Sequence, residues 1–155
     1  MEIRAYRIDD LEAVIAIFRS NIPKYFTPEE EPGLRAFLSD LRAVDYEVVE
    51  TGGEIVGAGG IGMNDDGTVS LCWGMIRHER LGNGLGKRLT LHRMERANEK
   101  FPGRALMIST SQHTSGFYEK LGFRLTEHVL DGYGPGIDTC RMRLEDREKL
   151  ARKAE

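Results

Sequence analysis

The stretch ERLGNGLGKRL, residues 79 to 89, places glycine at 82, 84 and 86 immediately before a basic and apolar run suited to a helix. A turn that enters a helix exposes unpaired N–H groups and the positive end of the helix dipole, so it can hold an anion without a charged side chain. Glycines let the backbone come close to such an anion. Two familiar phosphate loops fail on spacing. A dinucleotide fingerprint needs a third glycine five positions after the first, where Lys87 or Leu89 stands. A P-loop needs four residues between its first glycine and Gly-Lys, followed by Ser or Thr, and Arg88 follows Lys87 here.

Period and punctuation place this turn within a mixed α/β chain. Ile3 and Ala5 alternate as in a short edge strand; Asp9 and Glu12 fit a capping box, followed by Leu11, Val14, Ile15 and Phe18 at helical spacing. Leu34, Phe37, Leu38 and Leu41 repeat that spacing for a second helix, after a proline-rich and acidic connection. From Tyr46 the period becomes two, with Gly52-Gly53 as a hairpin turn, a second turn at Asp65-Asp66-Gly67, and a strand over TVSLCWGMI. The spacing predicts a helix from Leu85 to about Lys100, apolar on more than one face and stopped by Pro102-Gly103. A strand over RALMIST, a short helix ended by Gly122, and two strands joined by DGYGPG complete the order β-α-α-β-β-β-α-β-α-β-β, with a charged tail from Glu145. Hairpins demand antiparallel pairing, and the strand–helix–strand crossover demands a parallel pair.

The 155 residues suit a single domain over 1–155. With 22 basic against 25 acidic residues the net charge is −3, which disfavours a nucleic-acid or membrane partner, and there is no basic strip interleaved with aromatics. Cys72 and Cys140 lack the companions a zinc site needs, so no metal is expected and both read as reduced, packed thiols. The N-terminus lacks the basic and apolar regions of a signal peptide, so a cytoplasmic location is the expectation.

Two motifs together resemble the GNAT superfamily of acetyl-CoA-dependent N-acetyltransferases. The first is the loop above, aligned on Gly84-Leu85-Gly86, although Leu81 stands where that family prefers Gln or Arg. The second is TSQHTSGFYEKLGF, residues 110 to 123, with an aromatic pair Phe117-Tyr118 before Glu-Lys-Leu-Gly-Phe. The resemblance implies a central, mostly antiparallel sheet with a parallel pair splayed around the acetyl-CoA site and helices flanking it. It implies a transferase that moves acetyl from acetyl-CoA to an amine by direct attack, with Tyr118 as general acid. A phenol, with an ordinary pKa of about 10, keeps its proton at neutral pH and can hand it to a thiolate.

By the same resemblance, Leu81, Gly82, Asn83, Gly84, Leu85, Gly86 and Lys87 would form the diphosphate cradle. Met75, Ile76 and Arg77 would offer main-chain contacts, with the Met75 N–H polarising the thioester carbonyl, and Ser111 would bond the pantetheine arm where many members carry Asn. Arg88 and Lys120 are further cations within reach of phosphate or simply solvated. The general base stays open among Glu47, Glu50, His113, Asp138 and a water chain. The acceptor cleft would use the DGYGPG loop between the last two strands and the connection before the second helix, where Tyr25, Phe26, Glu30 and Glu31 could attract a cationic amine. The glutamates equally suit a helix N-terminus. A silent acyl-CoA-binding sensor is the alternative reading, and a homodimer is compatible with the resemblance.

Overall fold

The computed structural model describes residues 1–40 and 45–145. Among these the order is β1 (Glu2–Ala5), α1 (Leu11–Ser20), α2 (Glu31–Ser39), β2 (Tyr46–Thr51), β3 (Glu54–Met63), β4 (Val69–Ile76), α3 (Leu85–Lys100), β5 (Leu106–Thr110), α4 (Ser115–Lys120), β6 (Arg124–Gly134) and β7 (Ile137–Leu144). This is the order that the periods predict. Leu41, assigned by spacing to the second helix, and the charged tail beyond Glu145 lie outside the described residues.

One sheet runs β1-β2-β3-β4-β5-β7-β6. Its pairs are antiparallel except β4 with β5, so the sheet is mostly antiparallel with one parallel pair. The β2–β3 hairpin turns at Gly52 and Gly53, whose φ of 56° and 79° place both in the left-handed region that a two-residue hairpin turn requires. Neighbouring strand residues point to opposite faces. Val48 and Val49 of β2 are both fully buried, so the sheet is covered on both sides there, whereas β6 at the far edge is exposed along most of its length.

On one face Val14, Ile15, Ile17 and Phe18 of α1 and Leu34 and Leu38 of α2 pack with Tyr46, Val48, Ala58 and Met75. On the other, Leu89 of α3 packs with Val49, Val56 and Ile76. Farther along α3, Met94 and Ala97 join Leu106, Ile108, Tyr118, Phe123 and Met142. Fully burying each such side chain stabilises the fold by roughly 1.5–3 kcal/mol. Cys72 and Cys140 are both free thiols, and burial pushes each above the ordinary thiol range.

Two local expectations are corrected. The capping box closes a short 3₁₀ turn over Ile8–Asp10, through Asp10 and Arg7, and not α1 through Asp9 and Glu12; α1 begins at Leu11 without a side-chain cap. Asp10 accepts the Arg7 N–H at 2.8 Å and the Arg4 guanidinium at 2.9 and 3.0 Å, while Glu12 pairs with Arg35 at 2.9 Å. The expected DGYGPG loop is largely strand. β6 continues to Gly134, an irregularity between Val129 and Gly134 absorbs the misfit, and the reversal occurs at Pro135-Gly136.

Glu31 binds α1 to α2. Its carboxylate accepts from Arg19 at 2.7 and 2.9 Å and from Arg35 at 3.1 Å. The Arg19 bonds foremost, then those of Arg35, hold this carboxyl down to about 2, and Arg4 likewise lowers Asp10. A carboxyl held low in the folded state contributes stability that is complete above its ordinary pKa and is lost as pH falls through the folded value. Thermal melts should therefore show a falling Tm between about pH 5 and about pH 2. Glu31→Gln should melt lower at pH 7 and flatten that dependence. An unchanged profile in the variant would remove Glu31 as a contributor.

Candidate functional site

β4 and β5 stay in register for only two pairs, Val69 with Leu106 and Ser70 with Met107. Beyond them a bulge turns β4 aside. Cys72 faces Gly60 and Met75 faces Ala58, leaving Trp73 and Gly74 together opposite Gly59. Trp73 has φ of 43°, a strained value for a bulky residue. The hydroxyl of buried Tyr46 donates to the Trp73 carbonyl at 2.8 Å and holds this conformation. Trp73 packs against the α1–α2 core and also lines a cavity of about 580 Å³ that opens between the parted strands.

The β4 backbone presents one edge to this cavity. Arg77 N–H donates to Val56 at 2.7 Å, and Ile76 stands opposite Gly57. Direct pairs in an antiparallel ladder alternate between bonded and unbonded. Arg77 and, two residues before it, Met75 therefore turn their N–H groups toward β3, and the intervening Ile76 turns its own away from β3. On this stretch the amide available to a ligand is thus that of Ile76, in place of the expected Met75. The Ile76 carbonyl is held by Asn21 Nδ2 at 2.9 Å, which ties the end of α1 to this edge.

The glycine turn lies at the same end. Gly82 and Gly84 have φ of 85° and 79°, so their glycines serve the turn itself, and Gly84 caps α3. Gly86 is different. A Cβ there would meet only Ile76 Cγ1, at an ordinary 3.8 Å, so the protein's own packing does not demand glycine. The first bond of α3 runs from Arg88 N–H to Gly84 at 3.1 Å; among the described residues no N–H from Gly82 to Lys87 has a backbone acceptor. Leu81 and Gly86 line the cavity, whereas Gly82, Asn83, Gly84, Leu85 and Lys87 do not, and all but the half-buried Leu85 are exposed.

Across the cavity, α4 presents Tyr118, whose ring is held edge-on between Phe117 and Phe123 at 5.0 and 5.6 Å. Its hydroxyl bonds to none of the described residues. Ser111 is buried in the lining, and its Oγ accepts the His113 N–H at 3.2 Å while its own proton is free to donate. Tyr25, Phe26 and Glu30 also line the cavity, with the Tyr25 ring edge-on to His113 at 6.2 Å. Glu30 is the one carboxylate among the described lining residues. Burial pushes its carboxyl up, opposed by bonds from Thr27, whose N–H lies at 2.8 Å.

Other candidates fall elsewhere. Glu31 is engaged by two arginines and is not in the lining, which corrects its placement in an acceptor cleft. Of the four possible bases only His113 lines the cavity. Glu47 bonds His92 at 3.0 Å, Glu50 bonds Arg4 at 3.4 Å, and Asp138 bonds His128 at 2.7 Å. Among the described residues no group of three or more His, Cys, Asp and Glu could hold a metal ion, and no helix is long and apolar enough to cross a membrane.

The family model of the acetyltransferase (GNAT) domain matches residues 33–146, from within α2 through β7. The chain belongs to the GNAT acetyltransferase family. Solved structures share its fold. A Desulfovibrio desulfuricans protein assigned as a GNAT acetyltransferase superposes with a TM-score of 0.78 at 24% identity, covering 93% of this chain and 98% of that one. Ribosomal-protein-alanine N-acetyltransferase from Brucella melitensis gives 0.73 at 18%, covering 94% and 100%. The yncA protein of Salmonella typhimurium, assigned as an acetyltransferase and solved with its cofactor acetyl-CoA, gives 0.70 at 20%, covering 94% and 93%. No curated protein matches in sequence.

Among the lining residues of this GNAT acetyltransferase, Asn21 and Tyr133 fall within the two segments that the resemblance places at the acceptor cleft, whereas Arg93 of α3 belongs to neither. Tyr133 sits at the end of β6, within the segment expected to be loop, and burial raises its phenol above the ordinary range. Arg93 did carry a signal. It falls between Leu89 and Ala97 at i, i+4, i+8 on the buried stripe of α3, where a cation is out of place.

Proposed function

We propose that this GNAT protein acts as a single domain that transfers the acetyl group of acetyl-CoA to a primary amine of a small molecule or peptide. The observation that carries the reading is the row of unbonded N–H groups from Gly82 to Lys87 beside the open space at Gly86. A helix N-terminus so disposed suits a diphosphate, and Lys87 adds a cation. The Ile76 amide suits a thioester carbonyl or the arm behind it, and the Ser111 hydroxyl suits an amide of that arm.

The chemistry follows from the lining. Glu30, Tyr25 and Phe26 attract an ammonium by charge and cation–π contact. Once neutral, the amine attacks the thioester carbon; the main-chain amide stabilises charge on its oxygen. The C–S bond breaks, and Tyr118 passes its phenolic proton to the departing sulfur. The amine's proton leaves to His113 or to water. A cytoplasmic site of action and a homodimer are the accompanying expectations; light scattering tests the second.

The direct experiment is a thermal shift. A ligand at 100 times its Kd adds about 2.7 kcal/mol of stability, so acetyl-CoA should raise Tm where ATP and NAD do not. A screen of CoA release over amines, amino acids, aminoglycosides, polyamines and peptides then identifies the acceptor. No shift with acetyl-CoA overturns the proposal.

A further inference from the structure

Arg93 is only 2% exposed, and it lines the cavity. Its Nε and Nη1 are buried with no hydrogen-bond partner, and among the described residues no carboxylate lies within ion-pair distance. Burying a guanidinium without a counter-charge costs several kcal/mol, and a Met or Leu would fill the space without that cost. The two strands nevertheless clear room for it. A Cβ on Gly74 would stand 2.5 Å from Arg93 Nη2, and one on Gly59 would stand 3.0 Å from Cδ. The cation is therefore built into the sheet at the bulge, beside the place where β4 and β5 part. Apart from His113, the described lining carries two ionisable charges of opposite sign: Glu30 on the α1–α2 connection and Arg93 on α3.

We infer that Arg93 is the receptor for a carboxylate carried by one of the two reactants, so that this transferase selects an anionic partner. The inference rests on the reading of the cavity as a transferase site and narrows it. The acceptor is the first source: an amine that also bears a carboxylate would set its ammonium toward Glu30 and its carboxylate toward the Arg93 guanidinium. The acyl group is the second source, since a terminal carboxylate on the acyl chain would meet the same guanidinium beside Gly74. Charged hydrogen bonds to a fixed, desolvated fork discriminate well against analogues that leave it unpaired.

The test uses matched reactants and the intact protein. CoA release is measured with α-amino acids against their amides and their decarboxylated amines, with acetyl-CoA as donor, and then with succinyl-CoA against acetyl-CoA on each neutral amine. The expected result is a preference in kcat/KM of at least about tenfold for the carboxylate-bearing member in one of the two arms. Arg93→Met should reduce that preference to about twofold or less, and Arg93→Lys should keep part of it. Calorimetric titration of the same amino acids and amides, with CoA present and absent, gives a readout that needs no turnover. Matched members that agree within about twofold in both arms and bind alike would overturn the inference, as would a preference that survives in Arg93→Met. Should Arg93→Met fail to fold, the wild-type comparison decides alone. The acetyl-CoA thermal shift separates the two readings. Its absence ends the transferase proposal, while amino-acid binding still reports on Arg93; its presence without carboxylate selectivity ends only the inference about Arg93.

Discussion

Tyr118→Phe is expected to lower kcat by about 10²- to 10⁴-fold, the range typical of a positioned general acid, while the Tm increase with acetyl-CoA stays as in the parent. The structure makes this a clean substitution. The ring is held by Phe117 and Phe123, and the hydroxyl bonds to none of the described residues, so removing one oxygen disturbs no packing. Steady-state kinetics beside thermal shift separate the outcomes. A variant that turns over at the parental rate removes Tyr118 from the mechanism. A parent that binds acetyl-CoA yet acetylates nothing across a broad amine panel favours the sensor reading instead.

Gly86→Val should abolish the acetyl-CoA shift and leave the apo Tm within a few degrees of the parent, since its Cβ meets only Ile76 at 3.8 Å. A ΔΔG of about 1 kcal/mol, enough for a β-branched residue in the first turn of a helix, moves Tm by roughly 2–4 °C in a domain of this size. The neighbouring Gly84 is a poorer probe. Its φ of 79° makes any side chain strained whatever the space, at about 1–2 kcal/mol, so lost binding there mixes ligand contact with a damaged turn. If Gly86→Val binds acetyl-CoA with unchanged affinity, no ligand backbone passes over that position and the cradle lies elsewhere.

The sequence discloses those parts of the fold that depend on local period and punctuation. Gly52-Gly53 marks the hairpin, and Pro102-Gly103 marks the end of α3, whose span the periodicity places correctly at Leu85–Lys100. The bulge in β4 is hidden because TVSLCWGMI alternates well enough to be read as a regular strand. The resemblance implies a main-chain contact around Met75, and the register, read from the Arg77–Val56 bond, gives the outward amide to Ile76 instead. The space made for Arg93 is hidden for a related reason. Nothing in α3 announces that two glycines on separate strands, Gly59 and Gly74, have been vacated around its side chain. Within the acidic run 29–31, composition treats the glutamates alike, whereas tertiary packing gives Glu31 to two arginines and Glu30 to the cavity.

The brevity of the β4–β5 register has a mechanical meaning. Through backbone pairing, the half-sheet carrying α1 and α2 meets the half-sheet carrying α4 at Val69–Leu106 and Ser70–Met107 alone, with α3 lying against the first half and packing into the core of the second. A seam fastened at one end behaves like a clothes-peg: its jaws can breathe while its spring stays shut. A molecule lodged between the jaws would act as a strut, and amide hydrogen exchange in both halves is expected to slow when it binds.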